Sequence, residues 1–171
     1  MTLDEQSLQD VLDRLRSRFY GKYRGIVTAV DATTMRIKAK VPSVLGETDT
    51  GWCMACVPFA GNGIGLAFLP EVGAGVWIEF EAGDPSYPIW SGCYWRAGEV
   101  PSDAAAEKRV LVTQAQAKLI FDDDGQTVTL SDANENTVQL SSSGITLTHS
   151  SMKIAIGDAN VAINDSSLQV T

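Results

Sequence analysis

The sequence predicts an all-β protein that begins with one short helix and continues in two β-rich parts of different composition. Three observations carry this prediction. A helical apolar period is confined to the N-terminus, longer alternating strand patterns fill residues 20–98, and very short alternating runs fill residues 110–171. Tryptophan, tyrosine and proline are absent after residue 110, which indicates a change of architecture there. The polar stretch 99–109 between the two parts is predicted to be a linker.

The predicted helix lies within an N-terminal segment of residues 1–19. Leu8, Val11, Leu12 and Leu15 follow the spacing i, i+3, i+4 and i+7 between residues 3 and 18, and Phe19 extends the stripe. This amphipathic pattern predicts a helix that covers the bottom of the following domain or docks on a partner.

Residues 20–98 are predicted to form a small Greek-key barrel. Five or six short strands in about 80 residues suit this architecture, and the OB-fold is its commonest form. The glycine-rich stretch 60–65 is predicted to be a tight β-connection, because no helix or phosphate-binding lysine follows it. The clearest predicted strands are Gly25–Val30, Met35–Val41, Gly51–Pro58, Val76–Phe80 and Ile89–Tyr94.

Large rings follow the turn Gly83-Asp84-Pro85: Tyr87, Trp90, Tyr94 and Trp95. Such rings stack on bases or sugars in some proteins. The nearby acidic residues would repel a phosphate backbone, and the whole chain has a formal charge of −8. Packing within the barrel or against another subunit is the simpler interpretation, and no nucleic-acid partner is expected.

Beyond residue 110 the chain repeats very short strands, each with two apolar residues on one face. Two apolar residues per strand cannot build a core in one chain, and such a segment would not repay its ordering entropy alone. Three copies wound around one axis would bring these residues together as a thin core, in a prism on the order of 40 Å long. The predicted trimer-core residues are Val128, Leu130, Val138, Leu140, Ile145, Leu147, Ile154, Ile156, Val161, Ile163, Leu168 and Val170.

Residue types that bind metals or perform catalysis are sparse. Cys53 and Cys56 have a C-x-x-C spacing, but only Cys93 and His149 remain to complete a zinc site. The cysteines are therefore predicted to be small buried hydrophobic residues on strands. The stretch 132–136 resembles half of a calcium loop but lacks its later glycine and glutamate, so a solvated turn is expected. We predict no catalytic, cofactor-binding or metal-binding residues.

Three stretches together resemble one known family. They are YGKYRGIVTAVD, VPSVLG and GWCMACVPFAGNGIGLAFLPEVGAGVWIEFEAGDPSYPIWSGCYW, within residues 19–96. They resemble the OB domain of the phage baseplate assembly protein V family, which includes central spikes of contractile phage tails and VgrG proteins of type VI secretion. KLIFDDDG at 118–125 looks like the entry to the VgrG spike β-helix. The barrel motif positions are Gly73, Gly75, Trp77, Gly83, Pro85, Pro88, Trp90 and Gly92.

The resemblance implies a homotrimer with an OB domain seated on a hub and an intertwined C-terminal β-helix that pierces a target envelope, with transient membrane contact. Residues 99–109 leave no room for the lysozyme domain of some phage spikes. The chain ends SSLQVT without an H-x-H apex. We therefore expect a blunt tip without an iron site, which a PAAR-repeat protein often caps in this family.

We expect the chain to be made in the cytoplasm, because its first residues lack a signal-peptide core, and to be assembled into a baseplate or injection particle. The resemblance is shared by phages, secretion systems and released particles. Two alternatives from other classes remain open. One is an OB-fold module that binds nucleic acid or glycans, and the other is a β-helix enzyme that degrades polysaccharides, for which no carboxylate pair stands out.

Overall fold

The structure, a computed structural model, describes residues 5–165 and 167–170, without the side chains of Arg14, Gln169 and Val170. It divides into two compact units, the first ending at Glu99 and the second beginning at Val100. Strands dominate both units, which confirms the predicted all-β class. None of the described helices has the length and apolar character needed to cross a membrane.

The N-terminal helix α1 spans Glu5–Arg16. It was predicted over residues 3–18, of which 3 and 4 lie outside the described range. Leu8, Val11, Leu12 and Leu15 are all exposed, with Leu15 at 63%. The apolar stripe of α1 is therefore not covered by the described part of its own chain. The alternative, that α1 docks on a partner, stays a prediction.

The elements of the first unit after α1 are β1 Tyr23–Asp31, β2 Arg36–Lys40, helix α2 Pro42–Leu45, β3 Met54–Ala55, β4 Ala60–Gly61, β5 Ile64–Gly65, β6 Gly75–Phe80, the 3-10 turn Glu81–Gly83 and β7 Pro88–Tyr94. Five of these strands form one sheet in the order β2–β1–β6–β7–β3. All neighbours are antiparallel except β3 and β7, which are parallel. Cys53, just before β3, bridges to Ile37 of β2, so the two edges of the sheet meet as closure of a barrel requires.

The barrel encloses a core of apolar side chains that alternate along its strands. Burial of each large aliphatic side chain contributes about 1.5–3 kcal/mol. Phe19, which precedes β1, and Tyr23, the first residue of β1, pack their rings on Phe80 at centroid distances of 6.2 and 5.8 Å. The buried apolar residues are Val27, Ile37, Ala39, Val41, Cys53, Val76, Ile78, Phe80 and Trp90.

The residues of the predicted barrel motif lie in or beside this core. Gly75 must be glycine because a Cβ there would lie 2.7 Å from the Tyr94 ring. Gly83 has φ 76°, in the left-handed region that side chains disfavour. Gly75, Gly83, Pro88 and Trp90 are buried, and Gly73, Trp77, Pro85 and Gly92 are half-buried.

Three predictions about this unit need correction. The strand predicted over Gly51–Pro58 is regular only at Met54–Ala55, because only these two residues pair with β7. The short helix α2 was not predicted, although Pro42 stands at its start, where proline is favoured. Cys56 and Cys93 are exposed rather than buried, and only Cys53 lies in the core.

The tight connection predicted at residues 60–65 is confirmed. Strands β4 and β5 form a hairpin across Asn62 and Gly63, with Gly63 at φ 72°. Of the two loop residues only Gly63 has a positive φ, and glycine adopts this left-handed conformation without a steric penalty.

The second unit is a single antiparallel sheet in which every strand pairs with its neighbour in sequence. Of its eight described strands, six contain the predicted trimer-core residues, and a seventh, β9, contains the apolar run at 119–121. The additional strand, β8, begins at Lys108, so it includes the last two residues of the predicted linker. The strands are β8 Lys108–Val112, β9 Lys118–Asp122, β10 Thr127–Ser131, β11 Asn136–Ser141, β12 Gly144–His149, β13 Met152–Ile156, β14 Val161–Ile163 and β15 Leu168–Val170.

Candidate assembly surface

The register of the second sheet places the predicted trimer-core positions in two continuous rows. Val128 lies opposite Leu140, and Leu130 lies opposite Val138. Facing residues in antiparallel strands belong to the same side of a sheet. The rows continue through the pairs Leu140–Ile145, Val138–Leu147, Ile145–Ile156, Leu147–Ile154, Ile156–Val161, Ile154–Ile163, Val161–Val170 and Ile163–Leu168. All twelve positions therefore lie on one face, which we call the apolar face.

Residues that the prediction left out extend the same face. Leu119 lies opposite Leu130, Phe121 lies opposite Val128, and Leu111 lies opposite Leu119. The two-residue alternation of Lys118-Leu119-Ile120-Phe121 carried the signal for two of them. The face thus reaches from the first strand of the unit to the last.

The other face of the sheet is polar or small from β10 onward. Thr129 lies opposite Gln139, Gln139 lies opposite Thr146, and Ala155 lies between Thr146 and Ala162. The sheet is therefore amphipathic, and only one of its faces requires a partner.

No residue between 100 and 168 is buried, as far as side chains are described in that range. The described part of the first unit, by contrast, has a buried core of nine aliphatic, aromatic and cysteine side chains. On the apolar face, exposure is 55% for Leu130, 47% for Leu140, 41% for Ile145, 38% for Ile154 and 42% for Ile156. An apolar patch of this size left in water is unusual for a stable monomer and marks an interaction surface.

Ion pairs lie around the first hairpin of the sheet. Lys108 pairs with Asp122 at 3.2 Å, and Arg109 pairs with Asp123 at 2.6 Å. The Gly125 N–H, followed by Lys108, holds the pKa of Asp122 below its usual value. Two carboxylates of the acidic run 122–124, those of Asp122 and Asp123, therefore already have partners. Exposed pairs of this kind contribute at most about 1 kcal/mol each.

The predicted solvated turn at residues 132–136 is confirmed, and it is closed by one carboxylate. Asp132 accepts hydrogen bonds from the backbone N–H groups of Asn134 and Asn136, at 2.8 and 3.1 Å, and from the Asn136 side-chain amide at 2.8 Å. The Asn136 side-chain oxygen in turn lies 2.5 Å from Nδ1 of His149. The carboxylate is directed at amide donors, as in an Asx turn.

We predict that the pKa of the Asp132 carboxyl group lies well below that of an ordinary aspartate. The Asn136 side chain, followed by the backbone N–H groups of Asn134 and Asn136, lowers the pKa of Asp132 from 3.8 to about 2. Since the folded pKa is depressed, its contribution to stability is present above pH 4 and is lost as the pH falls toward 2. Carbon-detected NMR of the carboxyl group should show this midpoint, and Asn136→Ala should raise it. A midpoint near 3.8 in the unaltered protein would contradict the turn geometry.

Within the described residues, no group of three or more His, Cys, Asp or Glu side chains could hold a metal ion. His149 contacts Asn136 and has no carboxylate partner among its described contacts. The four aromatic residues that follow the turn at 83–85 occupy different environments in the structure. Trp90 is buried in the core, Tyr94 packs on Trp77 at 5.2 Å, and Tyr87 and Trp95 are 62% and 66% exposed.

Comparison with known proteins agrees with this division of the chain. Residues 23–95 match a family model described as the type VI secretion system/phage-baseplate injector OB domain. Residues 108–169 match a second model, described as the phage baseplate V C-terminal trimerisation domain. An injector OB domain followed by a trimerisation domain defines a spike-type protein of contractile machines.

The chain belongs to the phage baseplate V/VgrG-like family. It is also 38% identical over 58 residues to the type VI secretion system spike protein VgrG4b of Pseudomonas aeruginosa strain PAO1. That match covers 33% of this chain but only 7% of VgrG4b, so the chain spans a small part of that relative. The predicted OB domain and β-rich trimerisation domain are confirmed, and the second match supports a homotrimer.

Proposed function

We propose that the protein is the central spike of a contractile tail or injection particle. Its OB domain caps the hub at the end of the tube, and its C-terminal needle pierces the target envelope when the sheath contracts. The observation that carries this proposal is the continuous apolar face of a sheet in which no described side chain is buried. Such a face is satisfied when three copies enclose it, as the trimerisation domain indicates.

The proposed role is mechanical. In the needle, each strand is hydrogen-bonded to the next along the chain, and three apolar faces would pack into one interior that excludes water. A closed prism of this kind leaves no long sheet edge free and resists bending. The polar face would meet solvent and, for a short time, the target membrane.

We propose one partner for each of the two units. The OB domain would contact the hub, and the C-terminal tip would receive a PAAR-like protein. The proposal includes no catalytic step, because the matched families are described as an injector OB domain and a trimerisation domain. Asp132 closes a turn and Asp122 pairs with Lys108. We propose assembly into a baseplate or a released particle as the final location.

Light scattering tests the proposal. Full-length protein is expected at three times 18.3 kDa, and a truncation ending at Arg109 is expected to fall toward the monomer mass because it lacks the apolar face. Cryo-electron microscopy of the assembled machine would then place the trimer at the tube end. A full-length monomer would contradict the spike and favour a binding module.

A further inference from the structure

One segment of the first unit exposes large apolar side chains that do not pack into the core of the barrel. Residues 52–70 contain no charged side chain. Within them, Phe59, Ile64, Leu66 and Phe68 flank or form the β4–β5 hairpin and are 57%, 61%, 46% and 54% exposed. We call residues 59–68 the apolar arm. Four large apolar side chains on so short a segment are expected to be covered in the assembled protein.

The same unit has a separate apolar groove of about 550 Å³. Its lining includes Val72, Cys93, Tyr94 and Trp95, and it shares no residue with the cavity beside the apolar arm. Val72 and Trp95 are 62% and 66% exposed. The unit thus has an apolar projection and an apolar recess at two different places on its surface.

The charged groups of the groove do not prevent an apolar segment from covering it. Arg96 donates from Nε to Glu99 at 2.7 Å and from Nη2 to the Gly73 carbonyl at 3.1 Å. Glu99 also accepts the Arg96 backbone N–H at 2.7 Å. Because Arg96 and Glu99 already satisfy each other, covering them leaves no unpaired charge. Glu71, the other charged lining residue, is exposed.

We propose that, once the needle holds three copies together, the apolar arm of each copy inserts into this groove on the next copy, so that the three OB domains form a closed ring. The inference rests on the proposed trimer. A threefold axis excludes contacts in which one patch meets an identical patch in pairs, and it requires two different surfaces that fit head to tail. The arm and the groove are two such surfaces, and an arm from a second copy would cover both apolar regions at once.

Cross-linking of full-length protein tests the ring. In a Cys56→Ser background, Ile64→Cys is treated with a short bismaleimide that can reach the native Cys93 thiol of a neighbouring copy. Covalent dimers and trimers are expected on a denaturing gel and should disappear when Cys93→Ser is added. Tyr87→Cys is the matched control, because Tyr87 is 62% exposed and lies in neither surface, and it should give no such products.

The rate at which maleimide labels Cys93 provides a second test, which is needed if the Ile64→Cys substitution changes the conformation of the apolar arm. In the Cys56→Ser trimer, maleimide should label Cys93 slowly, and Ile64→Asp should increase the rate about tenfold while the mass stays trimeric. Light scattering separates the outcomes. A trimer in which Ile64→Cys cross-links no better than Tyr87→Cys, or in which Ile64→Asp leaves Cys93 labelling unchanged, overturns the ring alone. A monomer overturns both the ring and the proposed function.

Discussion

Replacing Ile154 by aspartate is expected to convert the trimer into 18.3 kDa monomers. Ile154 lies between Leu147 and Ile163 on the apolar face, and it is 38% exposed in one chain. In three copies the change would remove three buried isoleucines, each contributing about 1.5–3 kcal/mol. It would also bring three carboxylates together, and two like charges about 4 Å apart repel by about 4 kcal/mol at an effective dielectric constant of 20.

The matched control is Ala155→Asp, which places the same charge one residue away on the same strand. Ala155 lies on the polar face, beside Thr146 and Ala162. The control should remain a trimer by light scattering. If Ile154→Asp also remains a trimer, the apolar face does not form the interior of the needle.

Replacing Trp90 by alanine is expected to lower the free energy of unfolding of the barrel by about 3–5 kcal/mol. Trp90 is 4% exposed, and its neighbours in the core include residues of β2 and β6. Removing the indole leaves a cavity that closely packed strands cannot fill. Urea denaturation of the full chain, followed by far-ultraviolet circular dichroism, should show the shift in midpoint.

Trp90→Phe distinguishes loss of volume from loss of a polar contact. The Trp90 Nε1 atom is buried without a hydrogen-bond partner among the described residues, so phenylalanine removes a polar group that gains nothing in the core. We expect the phenylalanine variant to lose less than half as much stability as the alanine variant. Equal losses would show that the indole N–H has a partner, and an unchanged midpoint for alanine would place the ring outside the core.

The apolar face was predictable from sequence because strand geometry fixes it locally. Side chains alternate with a period of two, so Val128 and Leu130 must share a face whatever their partners are. Short turns then bring each strand back beside the previous one, and the pairs of apolar residues align. Two apolar residues per strand are too few for a core within one chain whatever the register of the strands.

The features that were missed depend on contacts far apart in the chain. The apolar run around Cys53 suggested a long strand. In the structure only Met54 and Ala55 of this run pair with β7, so the regular strand is two residues long. Exposure of Cys56 and Cys93 could not be read from residue type, since cysteine is commonly buried. Trp95 and Tyr87 resembled core rings for the same reason. Their exposure follows from the barrel's curvature and the turns around them, and no local pattern encodes these.

The consecutive pairing of strands in the second unit has an evolutionary consequence. Removing β12 and β13 together would leave β11 beside β14 in the antiparallel sense, with Leu140 meeting Val161 and Val138 meeting Ile163. Removal of one strand would reverse the direction of every later strand. Natural variation in needle length should therefore proceed by whole hairpins, in steps of about 10 Å. In the proposed spike, such steps would change the length of the needle without redesigning its interior.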